Sequence, residues 1–176
     1  MLRGLRVILL GAALAAVLLP SAVAAQRPSN PVRVWAGLGL GPANPFSSDP
    51  SRGSEGLGVV VGQLVFQQGA HYAAVRAVGA LAAMDESGDT YGEADVLYGR
   101  AFAERYVHLA IATGVAYTSV ACGAVRNCDA IGLPVLAELA FRPIPILGMG
   151  VQGFVNLNQH RSYGGLVAIA QLGWMP

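Results

Sequence analysis

A rhythm of segments and connections constrains this chain more than any single motif. Segments of about ten residues, alternating bulky apolar with small side chains, recur at 32–40, 56–67, 71–82, 91–101, 106–117, 131–141, 146–155 and 164–174. Longer polar stretches follow the first, third, fifth and seventh, at 42–55, 83–90, 118–130 and 156–163. Short turns follow the second, fourth and sixth, at 68–70, 102–105 and 142–145. A soluble β-sandwich has no reason to sort its connections by parity. A sheet that crosses a bilayer does, because long loops gather on one side and tight turns on the other. A tilted strand crosses the hydrocarbon in about 9–11 residues, which matches the segments. Helices fit poorly, since glycine recurs inside the segments and each interior Gly costs a helix about 1 kcal/mol.

The stretch YVHLAIATGVAY at 106–117 shows the two faces most plainly. One face carries Val107, Leu109, Ile111, Thr113, Val115 and Tyr117; the other carries Tyr106, His108, Ala110, Ala112, Gly114 and Ala116. A soluble half-buried strand sets apolar residues against long polar ones. Here the second face is mainly Ala and Gly, suited to the crowded inside of a small barrel, with the bulky face toward lipid. The same reading turns Ala94, Val96 and Tyr98 outward and Glu93, Asp95, Leu97 and Gly99 inward. Leu133, Val135, Ala137, Leu139 and Phe141 face out, as do Leu166, Ala168, Ala170, Leu172 and Trp174. The segment GLGVVVGQLVFQQ is apolar on both faces, so its phase stays ambiguous. Pro134 falls near the start of its segment, where a missing N–H is tolerated. The expected fold is all-β: an eight-stranded antiparallel up-and-down transmembrane β-barrel.

The chain opens MLRGLRVILLGAALAAVLLPSAVAAQ. Arg3 and Arg6 precede an apolar core, and small residues follow it up to Ala25. This is the pattern of a cleaved secretory signal peptide over 1–25, leaving one domain over 26–176. Only 12% of the residues are charged, about half the usual share of a soluble domain. An exported chain this apolar needs somewhere to hide its surface, and a closed barrel in a bilayer leaves no unpaired backbone facing lipid. A net charge of +1 with no basic stripe argues against nucleic acid.

The leader, the strand rhythm and the final alternating segment LVAIAQLGW together resemble the small eight-stranded outer-membrane barrels of Gram-negative bacteria. These are the outer membrane protein β-barrel domain group, which includes the membrane domain of outer-membrane protein A. The resemblance implies a porin-like barrel in the cell outer membrane, contacts with outer-membrane lipid and lipopolysaccharide, and insertion by the barrel-assembly machinery. In that family the last strand usually ends on its aromatic residue; here Met175 and Pro176 follow Trp174.

Several constellations could carry chemistry. The inward polar set is Arg76, Glu93, Asp95, His108, Glu138, Gln152 and Gln171. Strand direction places Arg76, His108, Glu138 and Gln171 toward the short-turn end, and Glu93 and Asp95 toward the long-loop mouth. Charges inside so narrow a barrel must pair, which reads as a structural plug; a narrow ion path or ligand contact is the alternative. Cys122 and Cys128, in ACGAVRNCD, suit a disulfide closing a loop of an exported chain. His160 and Ser162, in NQHRSYGG, resemble the His-x-Ser pair of the lipid A deacylases, which are also eight-stranded barrels. That chemistry needs a base within reach of the hydroxyl and an acid to orient it; a solvated loop is the simpler reading. The GLGLGP run has no following helix to make a phosphate site. The run at 85–89, DESGD, could hold a divalent ion, although a solvated hairpin loop explains it as well. Nothing calls for a cofactor or a resident metal. Three functions stay open: a structural or surface-interaction barrel with a plugged polar lumen, a lipid A-modifying hydrolase, and a soluble secreted β-barrel binding an apolar ligand.

Overall fold

A computed structural model describes residues 30–46, 57–81, 91–121, 127–159 and 162–176. The stretch 1–25, expected as a signal peptide, the acidic run at 85–89, Cys122 and His160 lie outside the described residues. The strands are β1 (Arg33–Pro45), β2 (Leu57–Gln68), β3 (His71–Ala80), β4 (Tyr91–Ala103), β5 (Val107–Ala121), β6 (Asn127–Ile144), β7 (Leu147–Asn158) and β8 (Tyr163–Gly173). They close into a barrel in sequence order, each antiparallel to the next, with β8 paired back to β1. Closure gives every strand two partners and leaves no open edge.

Alternation along each strand divides the side chains between outside and inside. Val96, Ile111, Leu139 and Leu166 are exposed on the exterior, while Leu97, Ala110, Leu136 and Val167 are buried within. The phases assigned to 91–101, 131–141 and 164–174 from the sequence are those observed. The ambiguous β2 turns Val59, Val61, Gln63, Val65 and Gln67 inward. Trp35 also points in and is buried, whereas Trp174 is exposed at the end of β8.

Several strands run on into stretches expected as connections. The stretch 118–130, expected as a loop, is largely strand, because β5 runs to Ala121 and β6 starts at Asn127. The ladder continues through Thr118↔Ala130 and Ser119↔Asp129. Beyond the apolar belt the outward face no longer has to be bulky, so alternation stops signalling a strand that nevertheless persists. Pro134 is therefore interior to β6 rather than near its start. The sheet absorbs it locally: β5–β6 pairing runs from Thr113↔Val135 to Ala116↔Gly132 and omits the two positions between. The Thr113 hydroxyl donates to the Pro134 carbonyl at 2.8 Å, bridging the gap.

Candidate functional site: the barrel interior

The inward-facing polar residues separate into two clusters at different heights. The upper one, nearer the long-loop mouth, is organised by Arg76. Arg76 stands opposite Asp95 across the β3–β4 ladder. Its Nε and Nη2 donate to Asp95 Oδ2 at 3.0 and 2.6 Å, and Nη2 reaches Glu93 Oε1 at 3.0 Å. The guanidinium lies 4.9 Å from the centre of the Phe154 ring. Glu93 Oε2 also accepts from Asn156 Nδ2 and from the Tyr163 hydroxyl. Asn156 Nδ2 donates as well to Thr118 Oγ1 at 3.0 Å. One cation thus holds two carboxylates, and neutral donors take up the remaining oxygen capacity.

The lower cluster is centred on Glu138. Its Oε2 accepts from Gln63 Nε2 at 2.8 Å and Gln152 Nε2 at 3.1 Å, and its Oε1 accepts from Gln171 Nε2 at 2.7 Å. His108 Nδ1 approaches Oε1 at 3.4 Å. The other ring nitrogen, Nε2, lies 3.0 Å from Gln67 Oε1. Gln67 Nε2 is committed to the Gly69 carbonyl, so Oε1 is the acceptor and the His108 Nε2–H donates. Toward the short-turn end the His108 ring packs edge-on against Trp35 at 5.4 Å and beside Tyr72 at 6.3 Å.

The mouth at that end is filled by the residues after β8. Gly173 adopts a φ of 141°, a region that side-chain-bearing residues rarely occupy. The chain then turns Met175 into the cluster that contains Trp35, Tyr72, Leu97 and Leu136. Arg33 Nη1 donates to the Met175 carbonyl at 2.6 Å, and Arg142 donates to the carbonyls of Pro176, Glu104 and Val107. Arg142 points inward where the β6–β7 register shifts, between Phe141 and Ile144.

The polar residues named from the sequence therefore do not form one set. Arg76 belongs with Glu93 and Asp95, not with the short-turn group of His108, Glu138 and Gln171. The reason is register: the β3–β4 ladder pairs Arg76 directly with Asp95. Gln63, Gln67, Thr118, Asn156 and Tyr163 complete the clusters and were missed. Gln63 and Gln67 lie on the strand of ambiguous phase, and the other three lie in stretches expected as loops. Carrying the alternation onward from Gln152 through Phe154, and back from Val167 and Gly165, would have reached Asn156 and Tyr163.

The hydroxyl of Ser162 donates to the Asn158 carbonyl at 3.2 Å and accepts from the Asn158 N–H at 3.1 Å. It thereby ties the ends of β7 and β8 together. Glu93 accepts from Arg76, Asn156 and Tyr163. Cys128 sits on β6 opposite Val120 and is not a free thiol. Among the described residues, no three His, Cys, Asp or Glu side chains come together to hold a metal ion.

No family model and no curated protein matches the chain. Solved structures resemble it through their architecture. The N-terminal β-barrel domain of Pseudomonas aeruginosa OprF superposes with a TM-score of 0.60 at 7% identity, covering 80% of this chain and 97% of that one. Neisserial surface protein A gives 0.58 at 16% identity, covering 84% and 100%. Ail, the attachment invasion locus protein of Yersinia pestis, gives 0.56 at 14% identity, covering 81% and 96%. The chain has the fold of these small eight-stranded transmembrane β-barrels.

Proposed function

We propose that this protein is an outer-membrane β-barrel of structural or surface-interaction type, with a lumen closed by its own polar side chains. The single observation that carries the reading is the inversion of polarity between wall and interior. The exterior exposes Leu38, Val96, Ile111, Val115, Ile131, Leu166 and Leu172, all on strands and spread around the barrel. The interior holds Arg76, Glu93, Asp95, His108, Glu138 and Gln152. A soluble barrel that binds an apolar ligand needs the reverse arrangement: a polar exterior and an apolar cavity. An encircling apolar band far exceeds the few hundred Å² that a soluble monomer tolerates, and a bilayer satisfies it.

The same reading takes 1–25 as the export leader and outer-membrane lipid, lipopolysaccharide and the assembly machinery as the contacts of the mature barrel. The Cys122–Cys128 disulfide would stiffen the β5–β6 loop on the outer side, in keeping with the bonded state of Cys128. The hydrolase reading finds no support in Ser162, whose hydroxyl is spent on the Asn158 backbone. The test is membrane fractionation combined with a gel of unboiled and boiled samples. An outer-membrane barrel fractionates with the outer membrane and migrates faster unboiled; recovery in the soluble fraction contradicts the proposal.

A further inference from the structure

The described exterior of the barrel is mostly apolar. Among the described strand residues, two charged side chains face outward, Asp129 at the upper end of β6 and Arg100 at the lower end of β4. Arg100 does not stand alone. The ladders align Gln68 with His71 and His71 with Arg100, so three neighbouring strands present a polar row at one height. One step farther from the turns the same ladders align Phe66 with Ala73 and Ala73 with Tyr98. A small residue between two aromatic ones makes a cleft, with Ala73 as floor and the rings as walls. A groove of about 240 Å³ occupies this position; Phe66, Ala73 and Tyr98 line it together with Val32, His71, Tyr72 and the glutamines 67 and 68. The Tyr98 hydroxyl is tied to His71 Nδ1 at 2.6 Å, which holds the wall upright. One more step brings Leu64, Val75 and Val96, purely apolar.

The sequence of heights is that of a single lipid molecule: a charged row, an aromatic-walled cleft, then hydrocarbon. The geometry points to a binding site for one anionic glycerophospholipid in the leaflet at the short-turn end. Its phosphodiester would sit on Arg100 and His71, and one acyl chain would lie along the Ala73 floor between Phe66 and Tyr98. The occupant is fixed by complementarity. A guanidinium at the edge of an apolar band selects a phosphate, and the adjoining cleft needs a chain attached to it. The inference rests on the barrel being membrane-embedded, as proposed above.

The test is native mass spectrometry of the detergent-solubilised full barrel, with dioleoyl phosphatidylglycerol or dioleoyl phosphatidylcholine added. Folding of every sample is checked by the unboiled-gel shift. The wild-type barrel is expected to retain one phosphatidylglycerol at least about fivefold more than phosphatidylcholine. Arg100→Gln removes the charge and Ala73→Leu fills the cleft from outside; each is expected to abolish that preference or that retention. Arg105→Gln, a cation in the neighbouring turn, should leave it intact. Equal retention of the two lipids overturns the site. So does loss with Arg100→Gln but not with Ala73→Leu, which reduces the effect to surface charge. In either case a preserved gel shift shows that the barrel reading survives. A chain that neither shifts on the gel nor inserts into vesicles overturns both.

Discussion

Arg76 and Asp95 face each other directly across the β3–β4 ladder, and the guanidinium meets the carboxylate at 2.6 Å inside the barrel. Because side chains alternate strictly along a strand, a slip of one residue would turn one of the two toward lipid. An arginine on the lipid face costs about 2–4 kcal/mol at the bilayer midplane. The pair therefore does more than neutralise charge: it specifies the register of two strands joined by a long connection.

Replacing Arg76 with Gln is expected to destabilise the barrel by about 3–5 kcal/mol, because Glu93 and Asp95 would remain buried without their cation. Adding Asp95→Asn should recover part of that loss. Urea unfolding of the single and double variants in lipid vesicles measures it. Additive effects of the two substitutions would show that the pair is not coupled.

Glu138 is the acceptor for three glutamine amides, from Gln63, Gln152 and Gln171. Glu138→Ala leaves the Gln63 and Gln171 amides without their acceptor, each at a cost of about 1–3 kcal/mol, while Gln152 Nε2 keeps its bond to Gln63 Oε1. A loss of about 3 kcal/mol or more is expected in the same unfolding measurement, with Glu138→Gln milder because it keeps one acceptor oxygen. Equal effects of Ala and Gln would contradict this account of the lower cluster.

What the sequence revealed and what it hid follow from where alternation carries information. In the membrane band one face must be apolar, so Val107, Leu109, Ile111 and Val115 announce β5 unaided. Beyond the band both faces can be polar in a strand or in a loop, so the sequence of Thr118, Asn156 and Tyr163 reads equally as loop. The inward direction of Arg76 and Glu138 was legible, because neither belongs in lipid. The nearness of His108 to Glu138 was legible too, from a symmetric 118–130 connection, and the two approach at 3.4 Å. The grouping of Arg76 with Glu93 and Asp95 was not, because it depends on the register of the β3–β4 ladder. Gln63 was hidden for another reason: β2 is apolar on both faces, so nothing in VVVGQLVF chooses a phase.

Glycines on opposite faces of the wall should differ in their response to substitution. A Cβ added to Gly99 would overlap the Ile111 carbonyl oxygen and press on Ala112 at 2.6 Å, both backbone atoms of the neighbouring strand. A Cβ on Gly62 would meet nothing within 4 Å. Gly99→Ala is expected to lower the yield of folded barrel on refolding into vesicles, and Gly62→Ala to leave it unchanged. The unboiled-gel shift reports both.

The chain contains two cysteines. With Cys122 and Cys128 joined, an alkylating reagent should add nothing to the denatured, unreduced protein and two labels after reduction. The closed loop is short, so reduction is expected to shift the unfolding midpoint only slightly. Intact mass spectrometry reads the labels, and two labels without reductant would refute the bond.

The central claim is that Val96 and its outward neighbours lie in hydrocarbon while Leu97 does not. Nitroxide labels introduced at Val96, Ile111 and Leu139, in a chain with both native cysteines replaced by Ser, test it by collision with oxygen and with a water-soluble nickel chelate. The account predicts high oxygen and low chelate accessibility at all three positions in vesicles, and low accessibility to both at a label on Leu97. Free access of the chelate to Val96, Ile111 and Leu139 would place the apolar wall in water and contradict it.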